Sequence, residues 1–133
     1  MNELAQDSFE NVGNALWRLK EALDESEGAV RGSLMIDGTI QRFEFSIELF
    51  WKLLRWLLME QGQEVMPLPK PIMQKAYAVG WLDHETLWLC MLKDRNQTSH
   101  TYKQQLAQEI YDRIKMYYPV MQSTYDALRA NYI

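Results

Sequence analysis

Cysteine is almost missing from this chain of 133 residues, which holds one, Cys90. A lone cysteine excludes an intramolecular disulfide and any zinc site built from several thiolates. Its neighbours Trp88, Leu89, Met91 and Leu92 are apolar, so Cys90 is expected to be a buried, inert thiol. Histidine is nearly as scarce, with His84 and His100 the two copies. Their spacing is not that of paired metal ligands, and neither a metal nor a cofactor is expected. No apolar run approaches the roughly 18 residues of a membrane span. The early Glu3, Asp7 and Glu10 are unlike the basic start of a secretion signal. A soluble, reduced, cytoplasmic protein with no membrane association is the expectation. A basic surplus is also lacking: 14 lysines and arginines face 18 acidic residues, for a formal charge of −4. That balance argues against a protein that coats nucleic acid nonspecifically, although it says little about one local cleft. Glycine-rich phosphate loops, nucleophile elbows and paired catalytic aspartates are all absent.

What is present is helix scaffold, with no alternating strand pattern and no internal repeat. Apolar residues make up 47% of the chain, ample for the core of one domain spanning residues 1–133. Phe9, Val12, Leu16, Leu19 and Leu23 draw one stripe of a first helix, which should end between Asp24 and Gly32. Ile36, Ile40, Phe43, Ile47, Phe50, Leu54 and Leu57 repeat at 4-3 spacing in a second helix. Phe45, Leu49, Leu53 and Trp56 form another apolar stripe on its flank, leaving a polar wedge of Gln41, Glu44, Glu48, Lys52 and Arg55. A helix so apolar needs neighbours on several sides. It is expected to be the central helix of the bundle and part of a homodimer interface.

Gly62 should stop that helix, and the prolines at 67, 69 and 71 stiffen the connector to a short third helix that Gly80 closes. Asp83 is the expected N-cap of a fourth helix carrying Leu87, Trp88, Met91 and Leu92. A last helix should begin near Gln104 and kink at Pro119. The predicted fold is all-α: an antiparallel up-and-down bundle of four main helices and a short one, dimerising. Most methionines and tryptophans lie on apolar stripes and are expected to be core.

Arg95 to Tyr102 stand out where the fourth helix frays. Arg95 supplies a fixed cation, His100 an imidazole of the type that titrates near neutrality, and Tyr102 a phenol. Asn96 and Ser99 are positioned to help hold an anion or orient the imidazole. His84 has no such company and is expected to face solvent. Glu44 and Glu48 stand one turn apart on the polar wedge. They form either a solvated charge ladder with Lys52 or the wall of a cleft in which a glutamate braces Arg95; periodicity does not choose.

Three blocks carry a resemblance to a known family. They are Ile40-Gln41-Arg42-Phe43-Glu44-Phe45 continuing through Glu48, Trp51 and Lys52; the Ala76 to Trp81 segment; and Arg95-Asn96 through His100-Thr101-Tyr102. The chain resembles the nucleotidyltransferase substrate-binding protein family, a branch of the HEPN superfamily that includes the HepT toxins. The last block fits the HEPN signature of arginine, four residues, histidine, one residue, tyrosine. The resemblance implies a dimeric bundle whose two Arg/His motifs approach a shared cleft, and a cognate minimal nucleotidyltransferase as partner. It also implies a metal-independent endoribonuclease acting on RNA, with Arg95 and His100 catalytic and Asn96, Tyr102, Glu44 and Glu48 in support. Tyr102 maps to the tyrosine that the partner modifies with AMP in a toxin–antitoxin pair. A second expectation is a non-enzymatic subunit that binds a nucleotidyltransferase and presents its substrate.

Overall fold

The computed structural model describes residues 3–132. They form five α-helices and one 3₁₀ turn: α1 (Glu3–Glu25), α2 (Leu34–Glu60), α3 (Pro69–Ala78), α4 (Glu85–Asn96), the turn Thr98–His100, and α5 (Gln104–Tyr132). No strand occurs among the described residues. Short links make successive helices antiparallel neighbours, giving an up-and-down bundle with α3 as its short member. α2 lies at the centre and packs against α1, α3, α4, α5 and the 3₁₀ turn.

The second helix owes that place to its sequence. All seven residues of its 4-3 stripe, from Ile36 to Leu57, are buried. Ser33 caps its start by accepting the Ile36 N–H at 3.2 Å, which satisfies one of the amides a helix N-terminus leaves unpaired. At the other end Gly62 adopts φ 73°, a left-handed conformation open to glycine without steric penalty. The Gln63 N–H then reaches back to the Leu58 carbonyl and Gly62 N–H to Met59, closing a Schellman cap. Gly80 ends α3 in the same way, with φ 88° and Trp81 N–H bonded to the Ala76 carbonyl. Thr39 and Ser46 are buried on α2 yet satisfied, donating to the Met35 and Arg42 carbonyls one turn earlier.

Several local expectations change. Cys90 is exposed, because helical rotation puts it roughly 200° from Trp88; Trp88, Met91 and Leu92 take the inward face without it. The N-cap of α4 is His84, with no side-chain cap bond, rather than Asp83. α3 starts at Pro69, whose fixed φ suits a first helical position, with Pro71 in the same first turn. Methionines are less interior than their stripes suggested: Met73, Met91 and Met121 are buried, whereas Met35, Met59, Met66 and Met116 are exposed. Trp88 and Trp51 are buried, but Trp17 faces outward. On the second stripe of α2 Leu53 is buried, Leu49 and Trp56 are half-buried, and Phe45 is exposed. As expected, Pro119 lies inside α5, with its ring on the exposed side.

Candidate functional site

The site is assembled where α4 gives out. Asp94 and Arg95 are consecutive, and helical geometry sends them about 100° apart. Asp94 turns inward, only 5% exposed. It receives two parallel bonds from Arg113 of α5, from Nε at 2.7 Å and Nη2 at 2.8 Å. Tyr117, one turn further along α5, donates its hydroxyl to Asp94 Oδ2 at 2.6 Å. The carboxylate thus meets a bidentate guanidinium and a phenol, which offsets the cost of removing its charge from water. The hydrogen bond to Asp94 raises Arg113 above its ordinary range. Burial first, and then the bond to Asp94, raises Tyr117 well above the usual tyrosine value of 10.0. This cluster pins the end of α4 to α5.

Arg95 turns the other way, toward α2. Its Nη2 donates to Glu48 Oε2 at 2.5 Å, and both side chains stay about a third exposed, at 33% and 29%. Glu48 is held in turn by the Trp51 indole at 3.2 Å and by Lys52 at 3.5 Å. Arg95 Nη1 reaches Asn96 Oδ1 at 3.4 Å. A guanidinium carries five N–H donors, so this bracing leaves several free to take a second anion. Both alternatives for the polar wedge leave a mark: Glu48 braces Arg95 and also pairs with Lys52 one turn on.

Glu44 lies one turn before Glu48 and accepts from the Thr98 hydroxyl. Thr98 Oγ1 is also 2.8 Å from the Arg95 carbonyl oxygen, so its single proton serves one acceptor at a time. Thr101 Oγ1 donates to the Thr98 carbonyl at 2.9 Å. These bonds fold the stretch after α4 into a 3₁₀ turn that presents His100 and Tyr102 outward. Their rings meet edge to face, centroids 6.2 Å apart and planes at 72°. Tyr102 is 75% exposed, with Lys103 Nζ 6.0 Å from its ring centre. His100 is exposed as well. Hydrogen bonds thus join Arg95 to Asn96 and Glu48, and join Glu44 to the turn that carries His100 and leads to Tyr102, whereas His84 lies at the opposite end of α4. Among the described residues no three of His, Cys, Asp and Glu converge as metal ligands would. No helix there is long and apolar enough to cross a membrane.

The sequence pattern alone missed Asp94, Thr98, Arg113 and Tyr117. One signal was available: Leu87, Met91 and Asp94 fall at i, i+4 and i+7, so an acid occupies the inward face. Arg113 and Tyr117 stand four apart on α5, with Tyr117 on the buried stripe of Ile110 and Ile114. An acid on an apolar face requires such partners.

Known proteins share this fold. Among solved structures, one from Thermus thermophilus superposes with a TM-score of 0.79 at 35% identity, covering 89% of this chain and 98% of that one. HI0074 from Haemophilus influenzae is similar in fold: TM-score 0.79, 23% identity, 91% of this chain and 98% of that one. Its structure is described as the fold of a substrate-binding domain of a nucleotidyltransferase. A third relative, "Probable ribonuclease HepT" of Haemophilus influenzae, is 32% identical over 84 residues, covering 60% of this chain and 58% of its own length. The chain thus spans somewhat over half of that relative. The family model described as "Nucleotidyltransferase substrate binding protein like" matches residues 7–130. An all-helical bundle with that match from α1 to the end of α5 belongs to the nucleotidyltransferase substrate-binding-protein-like family.

Proposed function

We propose that this chain is a metal-independent endoribonuclease whose active groups are Arg95 and His100. The observation that carries the proposal is the pairing of a braced arginine with an unobstructed imidazole. Glu48 fixes Arg95 without using all its donors, and His100 stands exposed on the adjoining turn. The similarity to a protein named as a ribonuclease supports the same reading. RNA carries its own nucleophile, the 2′-OH, so cleavage needs a proton taken, a proton given and charge stabilised. The 2′-oxygen attacks the adjacent phosphorus, forming one P–O bond as the bond to the 5′-oxygen breaks. The products are a 2′,3′-cyclic phosphate and a free 5′-hydroxyl. Arg95 binds the scissile phosphate and stabilises charge on its oxygens. His100 serves proton transfer at the 2′-oxygen or the leaving oxygen, and Asn96 orients Arg95.

In this proposal two copies associate through the apolar flank of α2 that their own bundles leave uncovered. Phe45 is exposed there and, with Leu49, lines a cavity of about 320 Å³ against α1. Such a dimer, in this proposal, also brings the two Arg/His motifs toward one axis and adds their arginine charges. The cognate nucleotidyltransferase acts as antitoxin on Tyr102, whose exposed hydroxyl bonds to no other described residue. Its oxygen attacks the α-phosphorus of ATP, taking AMP and releasing pyrophosphate. The added phosphate then repels an anionic substrate.

Cleavage of RNA in excess EDTA tests the nuclease. His100→Ala should lose about 10²-fold or more in rate with unchanged helix content. Equal rates for wild type and His100→Ala would remove the assignment. The second reading, a non-enzymatic subunit that presents substrate to a nucleotidyltransferase, is favoured by the family's description and by the fold shared with HI0074. Mixing with the transferase and ATP separates the two: a gain of AMP on Tyr102 supports the toxin, and modification of a separate small acceptor supports the presenting subunit.

A further inference from the structure

A second cleft opens on the far side of Arg95, between the start of α3 and the second half of α4. It is a half-open cleft of about 690 Å³, lined by Lys70, Lys93 and Arg95 above Leu89 and Leu92, with the half-exposed Leu68 at its mouth. No acidic residue lines it, in a chain where acids outnumber bases 18 to 14. Neither Lys70 nor Lys93 has an ion-pair partner among the described residues, unlike Lys20, Lys52 and Lys115. The first turn of α3 also lacks an acidic residue and a side-chain cap, so the positive end of that helix dipole faces the cleft unneutralised. Lysine and arginine in the last turn of α4 complement its own dipole. That accounts for their place along α4 but not for their convergence with Lys70.

We propose that this cleft is a subsite for single-stranded RNA, seating the nucleotide next to the phosphate held by Arg95. The proposal rests on the ribonuclease reading for the identity of that phosphate, and on charge and shape for the rest. Arg95 belongs to both sites, so a strand with one phosphate at Arg95 continues directly into the cleft. Lys93 and Lys70 take the flanking phosphates, while Leu89, Leu92 and the apolar rings of Pro69 and Pro71 receive an unstacked base by apolar contact. The volume suits one base and its sugar; a duplex, with its bases stacked inside, has no base to offer. Basic residues without a carboxylate suit a chain of phosphates, whereas a cleft shaped for a protein helix would not need to exclude every carboxylate.

Fluorescence anisotropy with a short labelled single-stranded RNA tests this, using the full chain carrying His100→Ala so that the probe stays intact. Adding Lys70→Ala with Lys93→Ala should weaken binding about tenfold or more. The salt dependence should become shallower by about 1.4, near 0.7 for each phosphate no longer neutralised. Lys20→Ala with Lys115→Ala removes the same charge from α1 and the outer side of α5, and should change affinity less than about twofold. Leu68→Glu, at a position 51% exposed, places a negative charge at the mouth without disturbing the core and should weaken binding again. Duplex RNA of the same sequence should be indifferent to Leu68→Glu.

Equal losses from both lysine pairs would mean general screening and overturn the subsite. So would unchanged RNA affinity with weaker capture of the partner nucleotidyltransferase, which would make the cleft a protein-docking surface. The nuclease is judged separately, by cleavage with the unmutated chain. Lysine-dependent binding without cleavage removes the nuclease and keeps the strand subsite. Cleavage whose KM and binding ignore Lys70 and Lys93 removes the subsite and keeps the nuclease.

Discussion

Asp94 and Arg95 are neighbours in sequence that enter two ion pairs of opposite character. The Asp94–Arg113–Tyr117 cluster is closed: its carboxylate is buried and held by both a guanidinium and a phenol. The Arg95–Glu48 pair is open, with both groups reaching solvent and the guanidinium keeping unused donors. A closed pair sets geometry, because separating its members strands a charge away from water. An open pair has little stability to offer but holds a cation in place for a third party. One helix end therefore carries its anchor and the residue proposed to bind phosphate side by side, and the rigidity of the first sets the position of the second.

The strongest way to break that comparison is to remove each residue in turn. Arg95→Ala should lower RNA cleavage by about 10²–10³-fold, the scale of losing one charge-stabilising group, while changing stability by less than about 1 kcal/mol. Asp94→Ala should do the reverse in kind, costing about 2–4 kcal/mol of unfolding free energy. The figure sits below that of a fully buried pair because Arg113 is 39% exposed and can turn to water. Chemical denaturation and a cleavage assay on both variants read the two axes. If Arg95→Ala destabilises as much as Asp94→Ala, the open pair is structural after all.

The contrast also explains what sequence alone could and could not tell. Stripes such as Phe9 to Leu23 and Ile36 to Leu57 placed the helices correctly, because burial of one face is a property each helix carries within itself. Gly62 and Gly80 were legible for a similar reason, since a left-handed cap is a local demand. The motif from Arg95 to Tyr102 stood out because it interrupts a pattern. The partners of those residues were not legible, because Asp94 meets Arg113 and Glu48 meets Arg95 only after α4 is set between α2 and α5. Cys90 was misplaced for a simpler reason: apolar neighbours in sequence are not neighbours on a helix surface, and rotation decides which way the thiol faces.

Glu48→Gln sharpens the open side. The amide keeps the shape and one acceptor oxygen but loses the charge that holds Arg95 and Lys52. Stability should move by less than about 1 kcal/mol, and cleavage should fall about tenfold because Arg95 is no longer held where the phosphate arrives. The loss should appear in the rate at saturating RNA more than in the amount of RNA needed to saturate. A variant as active as the wild type would show that Arg95 needs no brace.

Tyr117→Phe sharpens the closed side with the smallest change. It removes the hydroxyl donated to Asp94 and leaves both bonds from Arg113, so the cost near neutral pH should be about 1 kcal/mol. Its pH dependence is more telling. Burial and the bond to Asp94 raise Tyr117 above its ordinary 10.0, so the folded chain holds the phenolic proton more tightly than the unfolded one. Below about pH 10 both states keep it and the group contributes no slope. Above that, the unfolded chain releases the proton first, and stability falls as pH rises. Tyr118 and Tyr132 are also raised, chiefly by burial, so the variant should retain part of the alkaline loss. The gap between wild type and Tyr117→Phe should then narrow steadily in urea titrations taken past pH 10. A gap that stays constant would mean that the phenol of Tyr117 does not complete the anchor, leaving Arg113 alone to hold Asp94 and the end of α4.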